Sequence, residues 1–207
     1  MEINLTNNNH YIIYPLQNQQ YINLCEIKTS KKFSGSGIII FFLENNDMKI
    51  ILGIDHNNKF QEFGGKIERN NLTTQNALFL NARKELQEES VNLFILDQET
   101  YNYIDIQDSN NTFYRCFFYC FYNLNFNRLN NDFQQNKMNI DTNNPAYNEI
   151  KDIYAYSLND IKKNKLNLNF RERTKKIIDL FDSKIILAHK NKKNLNRIQY
   201  KMITYKL

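Results

Sequence analysis

Residues 63–93 read FGGKIERNNLTTQNALFLNARKELQEESVNL, and the fold turns on them. Gly64 and Gly65, two of the chain's five glycines, stand side by side ahead of a helix-forming segment that carries Glu85, Glu88 and Glu89. At about 100° per residue, Glu88 and Glu89 fall on either side of Glu85, all within about 100° of arc. Ala82, Leu86 and Leu93 occupy the adjoining arc, so the helix is expected to pack on them while its carboxylates face outward into a site. Three like charges on one stripe repel unless a cation lies among them. A hard divalent ion such as Mg²⁺ (or Mn²⁺) suits an all-oxygen donor set.

Outward from this stretch, 207 residues bound the chain to one domain with extensions. Hydrophobic residues at 42%, with 15 Phe and 13 Tyr, are ample for a core. The longest apolar runs, GIIIFFL (37–43) and CFFYCFY (116–122), fall well short of the roughly 20 residues of a membrane span, so no membrane partner is expected. The polar start MEINLTNNNH has no signal-peptide pattern, and Cys25, Cys116 and Cys120 lack metal-ligand spacing. Reduced thiols in a cytoplasmic compartment follow as the expectation. Asparagine supplies 35 residues, dispersed among periodic apolar segments, a composition that fits an AT-rich genome such as a protist's or a large DNA virus's. From Lys184 onward there are seven Lys or Arg and no acid, which leaves the body slightly acidic beside a basic tail. No Ser-His-Asp set, P-loop or dinucleotide fingerprint appears, and the scattered His10, His56 and His189 read as surface or packing residues.

Residues 1–33 are an N-terminal extension or the first strands, with 1–9 disordered or strand-leading; 34–182 form the main domain and 183–207 a basic tail. GIIIFFL and MKIILGI, joined by the turn cluster ENND (44–47), predict an antiparallel hairpin, and DHNNK (55–59) a second turn before FQEF. After the carboxylate helix come YNYIDIQ (101–107), a turn at DSNN, and the β segment TFYRCFFYCFYNL (112–124). The Asn-rich stretch 125–146 lacks clear periodicity and is expected to be a loop. YNEIKDIYAYSL (147–158) alternates as a strand, with Ile150, Ile153 and Tyr154 or Ala155 inward. NDIKK begins a short helix, and FRERTKKIIDLF (170–181) places Phe170, Thr174, Ile177, Ile178 and Phe181 on one face. These elements add up to an α+β fold with a mixed sheet between helices.

The glycine pair with the run Lys84-Glu85-Leu86-Gln87-Glu88-Glu89 resembles the box of the Nudix hydrolases, in which Gly, five residues, Glu, seven residues precede Arg-Glu-apolar-any-Glu-Glu-any-Gly. The likeness extends over about residues 34–182 and implies a Nudix-like α/β/α sandwich. It implies that Glu85, Glu88, Glu89 and the Gly65 carbonyl hold the metal. The chain departs from the pattern where Asn71 replaces the first Glu, Lys84 the Arg and Val91 the last Gly, with five residues inserted. The family's Arg–Glu pair, which buttresses the helix, is therefore lost; Glu68 with Lys84 or Arg83 is a candidate substitute. Asn92 is a candidate for capping one residue late, and Thr73 or Thr74 for capping the front.

The resemblance implies Mg²⁺-dependent cleavage of a phosphoanhydride in a diphosphate-linked substrate. Glu85, or Glu149 at the head of a later strand, is the candidate base. Lys66 and the tail residues Lys190, Lys192, Lys193 and Arg197 are candidate phosphate contacts, which suits a polyanion such as an mRNA cap or a diphosphoinositol polyphosphate. A nucleoside diphosphate derivative needs no tail. The competing reading is a catalytically inactive Nudix-like binding or structural module. A pure RNA-binding protein is weaker, because the body is acidic and no RNA-recognition motif is readable.

Overall fold

The structure is a computed structural model and describes residues 3–5, 11–13, 32–67, 74–96, 103–107, 112–122, 124–140 and 144–190. Near the N-terminus β1 (Ile3–Leu5) and β2 (Tyr11–Ile13) pair antiparallel. The long run of the expected hairpin lies in β3 (Phe33–Glu44), whose Ile38 to Phe42 are at most 1% exposed. Burial on both faces explains why this run is continuously apolar rather than alternating. Asn45 and Asn46, at φ 50° and 64°, turn the chain into β4 (Asp47–Asp55). Asparagine tolerates the left-handed conformation that a two-residue hairpin loop needs. β5 (Phe60–Gln61) pairs with β4, and β6 (Phe63–Lys66) runs antiparallel to β3, setting Gly64 opposite Gly37 and Gly65 opposite Ser36.

α1 (Gln75–Glu89) follows, capped by the Thr74 hydroxyl on the Ala77 N–H. Then come β7 (Phe94–Leu96), which runs parallel to β2, β8 (Tyr103–Gln107) and β9 (Phe113–Tyr122). α2 (Phe126–Asn139) and a 3-10 turn at Pro145–Asn148 lead to β10 (Ile150–Ser157), α3 (Leu158–Lys162) and α4 (Glu172–Lys190). Among the described residues the main sheet runs β10–β4–β3–β9–β8, with β3 and β9 parallel and the remaining pairs antiparallel.

Alternation along the strands divides the core. Ile38, Ile40, Phe42, Phe117 and Phe121 meet Leu78, Phe79, Ala82 and Leu86 of α1 and Leu129 and Phe133 of α2. Ile39, Phe41, Cys116 and Phe118 meet Leu158 and Ile161 of α3 and Ile177, Ile178 and Phe181 of α4. The Phe181 ring stands edge-on to both Phe41 and Phe118, at 4.9 and 4.7 Å. Each such buried side chain contributes about 1.5–3 kcal/mol. This is the expected α+β sandwich, a mixed sheet between helix layers. Among the described residues no helix is long and apolar enough to cross a membrane.

Several expectations are corrected. The stretch read as a loop from 125 to 146 contains α2, because Phe126, Leu129 and Phe133, at i, i+3 and i+7, anchor a mostly polar helix on the core. Asn125 caps it by accepting from the Arg128 N–H at 3.1 Å. Asparagine-rich composition hid a helix whose apolar stripe is only Phe126, Leu129 and Phe133. Strand β7 had no counterpart in the sequence reading. α1 ends at Glu89, so Leu93 packs from beyond the helix end rather than from its face. On β10 the inward residue is Ala155, since Tyr154 is 38% exposed.

Candidate active site

The paired glycines are explained by close approach, since none of the chain's glycines has a positive φ. Successive residues of β6 point to opposite faces. A Cβ on Gly65 would meet the Glu85 carboxylate, with Oε2 at 2.4 Å and Cδ at 2.5 Å. A Cβ on Gly64 would meet the Tyr114 hydroxyl at 2.1 Å on the other face. The glycine pair is therefore a thin layer between carboxylates above and an aromatic ring below. The Gly65 carbonyl lies against Gly35, where a Cβ would stand 2.4 Å from it.

α1 is seated by polar contacts as well as by its apolar face. The Ser36 hydroxyl donates to the Leu78 carbonyl at 2.7 Å and accepts from the Asn81 amide at 3.0 Å. At the far end the chain leaves through Val91 and Asn92, both left-handed at φ 50° and 58°. The Asn92 N–H bonds the Gln87 carbonyl at 2.7 Å, so the exit holds with Val91 at the glycine position of the box.

Glu89 departs most from the outward-facing stripe. It is 2% exposed, and its carboxylate accepts from the Gly64 N–H at 2.6 Å and from the Gln61 side-chain amide at 3.0 Å. Burial pushes its carboxyl well above the ordinary range; the Gly64 N–H opposes this, while the charges of Glu149, Glu62 and Glu85 add to it. Glu85 is half-buried under Gly65, and Glu88 leans along the helix toward Lys84 at 3.8 Å. Lys84 thus pairs with Glu88 one turn on, and Glu68, its candidate buttress partner, lies outside the described residues.

Glu149 ends the 3-10 turn ahead of β10 and is exposed, and its charge is the strongest of the like charges acting on Glu89. Helix α2 holds this arrangement from two sides. Lys137 Nζ donates to the Ile150 and Lys151 carbonyls at 2.6 and 2.9 Å, and Gln134 to Asp152 at 2.7 Å. The Asn136 amide donates to the Val91 carbonyl at 3.2 Å, tying the end of α1 to the start of β10. The misread loop is thus the element that brings Glu149 toward the glutamate helix.

A second charged cluster, which the sequence reading missed, lies beneath the glycines. Glu62 is fully buried; Arg173 Nε donates to its Oε1 at 2.6 Å and the Thr174 hydroxyl to its Oε2 at 2.5 Å. Burial alone would raise the Glu62 carboxyl, but the Arg173 charge and the Thr174 hydrogen bond hold it below the ordinary range. Arg173 also reaches the Gly64 carbonyl at 3.4 Å and lies over the Tyr114 ring at 3.9 Å. The one signal available was an acid embedded in the apolar run Phe60-Gln61-Glu62-Phe63; its partner stands over a hundred positions away.

Glu85 and Glu89 thus close on the Gly64–Gly65 stretch of β6, with Glu88 on the rim and the Glu149 charge acting on Glu89. Lys66 is exposed at the end of β6. Lys190 ends α4 with its side chain outside what the structure describes, and Lys192, Lys193 and Arg197 lie outside the described residues. Among the described residues no three His, Cys, Asp or Glu groups converge closely enough to hold a metal ion as they stand. The donor chemistry nevertheless fits a hard divalent cation. It consists of oxygens alone, its carboxylates repel one another, and the buried Gln61 Oε1 beside them has no hydrogen-bond partner.

No family model matches the chain, and no curated protein matches it. Among solved structures it is similar to the NUDIX domain of Shewanella oneidensis NrtR complexed with ADP ribose, at 14% identity and a TM-score of 0.42, over 79% of this chain and 96% of that one. It is similar to a NUDIX family hydrolase from Clostridium perfringens at 20% identity and a TM-score of 0.35, over 74% and 100% of the two chains. The C. elegans Ap4A hydrolase matches at 10% identity and a TM-score of 0.33, over 63% and 85%. The fold and the site both stand on their own geometry. By its own topology the chain is an α+β sandwich with a mixed sheet between helix layers, as the sequence predicts.

Proposed function

We propose that this chain is a divalent-metal-dependent hydrolase that cleaves a phosphoanhydride in a diphosphate-linked substrate, using Mg²⁺ or Mn²⁺. The observation that carries the reading is the Glu85 carboxylate seated on Gly65 while Glu89 grips Gly64. Glu85, Glu88 and Glu89, with the Gly65 carbonyl, would hold the cation. A bound divalent ion supplies charge neutralisation of the diphosphate and polarisation of the attacking water. The residues do the rest. Glu149, exposed ahead of β10, would take a proton from that water, with Glu85 as the other candidate. Glu88, now paired with Lys84, would complete the donor set, and Lys66 at the exposed end of β6 would meet a substrate phosphate.

The substrate class is a nucleoside diphosphate derivative or a larger polyanion, an mRNA cap or a diphosphoinositol polyphosphate, which the basic tail would favour. The second reading is an inactive binding or structural module; its support is the burial of Glu89 against backbone and the lack of three converging acids among the described residues. Mg²⁺-dependent release from ADP-ribose, dinucleoside polyphosphates, capped RNA and inositol pyrophosphates separates the two. Turnover that is lost in Glu88→Gln and reduced in Glu149→Gln supports the hydrolase. If no substrate turns over, or if the variants match the wild type, the inactive module is the better account.

A further inference from the structure

The altered box leaves the glutamate helix without the Arg–Glu pair that its pattern calls for, yet Glu89 is held firmly. Gly64 is gripped at both of its backbone polar groups. Its N–H donates to Glu89 Oε2 at 2.6 Å, and its carbonyl accepts from Arg173 Nη2 at 3.4 Å. Arg173 is itself fixed on three sides: by Glu62 at 2.6 Å, by the Tyr114 ring at 3.9 Å, and by its place on α4 beside Thr174. The Tyr114 hydroxyl in turn packs against Gly64 and Gly37 so closely that neither position admits a Cβ. Contacts from α4 and β9 thus converge on one glycine from the face of the sheet opposite α1, and Glu62, between β5 and β6, holds Arg173 in place.

We propose that Arg173 is a positioning residue for the carboxylate site. It acts with Glu62 through Gly64 to fix Glu89, and so replaces from α4 the buttress that Asn71 and Lys84 cannot form. The proposal rests on the reading of Glu85, Glu88 and Glu89 as a divalent-cation site. Only a guanidinium suits the task, because its planar fork serves the Glu62 carboxylate and the Gly64 carbonyl together, whereas an ammonium is a point donor. Glu62 is fully buried while Arg173 is partly exposed, so removal of the arginine alone leaves a buried carboxylate uncompensated.

Two variants separate positioning from mere support of the fold: Arg173→Lys, which keeps the charge and loses the fork, and the double change Glu62→Gln with Arg173→Gln, which removes both charges. Each is compared with the wild type by thermal melting, by amide hydrogen exchange and by Mn²⁺ binding followed by electron paramagnetic resonance. The expected result is that the Gly64 amide exchanges about tenfold faster relative to Ile40 and Ile51 at the sheet centre. Mn²⁺ affinity falls about 10- to 100-fold in protein that is still folded. If Gly64 speeds up no more than Ile40, the clamp does not exist, and if Mn²⁺ affinity is unchanged while Gly64 loosens, the clamp does not serve the site. A wild type that binds no Mn²⁺ refutes the cation reading and the site role with it, while the exchange ratio at Gly64 still decides whether the clamp is real.

Discussion

Gly65→Ala tests the thin glycine layer most directly. A Cβ at this position would stand 2.4 Å from Glu85 Oε2, 2.5 Å from its Cδ and 2.7 Å from Oε1. Ordinary contact begins near about 3.5 Å, so the carboxylate must retreat by about 1 Å. It is the far end of a flexible side chain, so the retreat costs about 0.5–1.5 kcal/mol of off-rotamer strain. Gly65 has no positive φ, and Gly→Ala at such a position returns about 0.4–1 kcal/mol by restricting the unfolded chain. Stability is therefore expected to change little, whereas displacement of a reacting group by about 1 Å costs about 100-fold in turnover. Gly64→Ala is the contrast, because its Cβ would meet the buried Tyr114 hydroxyl at 2.1 Å, Gly37 Cα at 2.5 Å and the Ser36 carbonyl at 2.9 Å. These neighbours have nowhere to go, and overpacking of this kind costs about 1–3 kcal/mol or more. Urea unfolding and initial rates on whichever diphosphate the wild type hydrolyses are the assays. A Gly65→Ala protein with wild-type turnover, or one destabilised as much as Gly64→Ala, refutes the reasoning.

Three further outcomes follow from named contacts. Burial would raise the Asp55 carboxyl, but the Lys59 N–H, the Arg171 guanidinium and the Asn57 N–H hold it below its ordinary 3.8. Its stabilisation is therefore present above pH 3.8 and is lost as pH falls through the lower folded value, so urea midpoints measured against pH should show an acid limb that Asp55→Asn flattens. Asn125→Ala removes the cap of α2 and should cost about 1 kcal/mol in urea unfolding, with a neutral result arguing against the cap. Val91→Gly relieves a left-handed β-branched residue, worth about 1–2 kcal/mol. It also forfeits a buried side chain worth about 1.5–3 kcal/mol, so a modest loss of stability is expected, and a gain would show that strain outweighs packing there.

The hairpin of β3 and β4, the carboxylate helix and the amphipathic α4 were legible because each announces itself locally. Consecutive apolar residues bounded by Asn turns, a glutamate stripe after paired glycines, and Thr174, Ile177, Ile178 and Phe181 at helical spacing are short-range patterns. Helix α2 was not legible, since Phe126, Leu129 and Phe133 are diluted by asparagine and glutamine. Its support comes from Asp152, the Ile150 carbonyl and the Val91 carbonyl, all remote in sequence. Strand β7 is three residues long and owes its assignment to pairing with β2.

At the site, spacing alone brought out Glu85, Glu88 and Glu89 as one stripe and marked Gly64 and Gly65 as their counterpart. It also marked the defect in the box, at Asn71, Lys84 and Val91. Only the tertiary structure decided that the stripe is split, with Glu89 turned inward onto Gly64 and Glu88 left at the rim, and that Glu149 is carried toward them by α2. Only the tertiary structure joined Glu62 to Arg173 beneath the glycines. The reason is physical: helical periodicity is set by the local backbone and can be read along the chain. Which carboxylate is desolvated, and which cation answers it, depends on groups that meet only after the sheet has closed between its two helix layers.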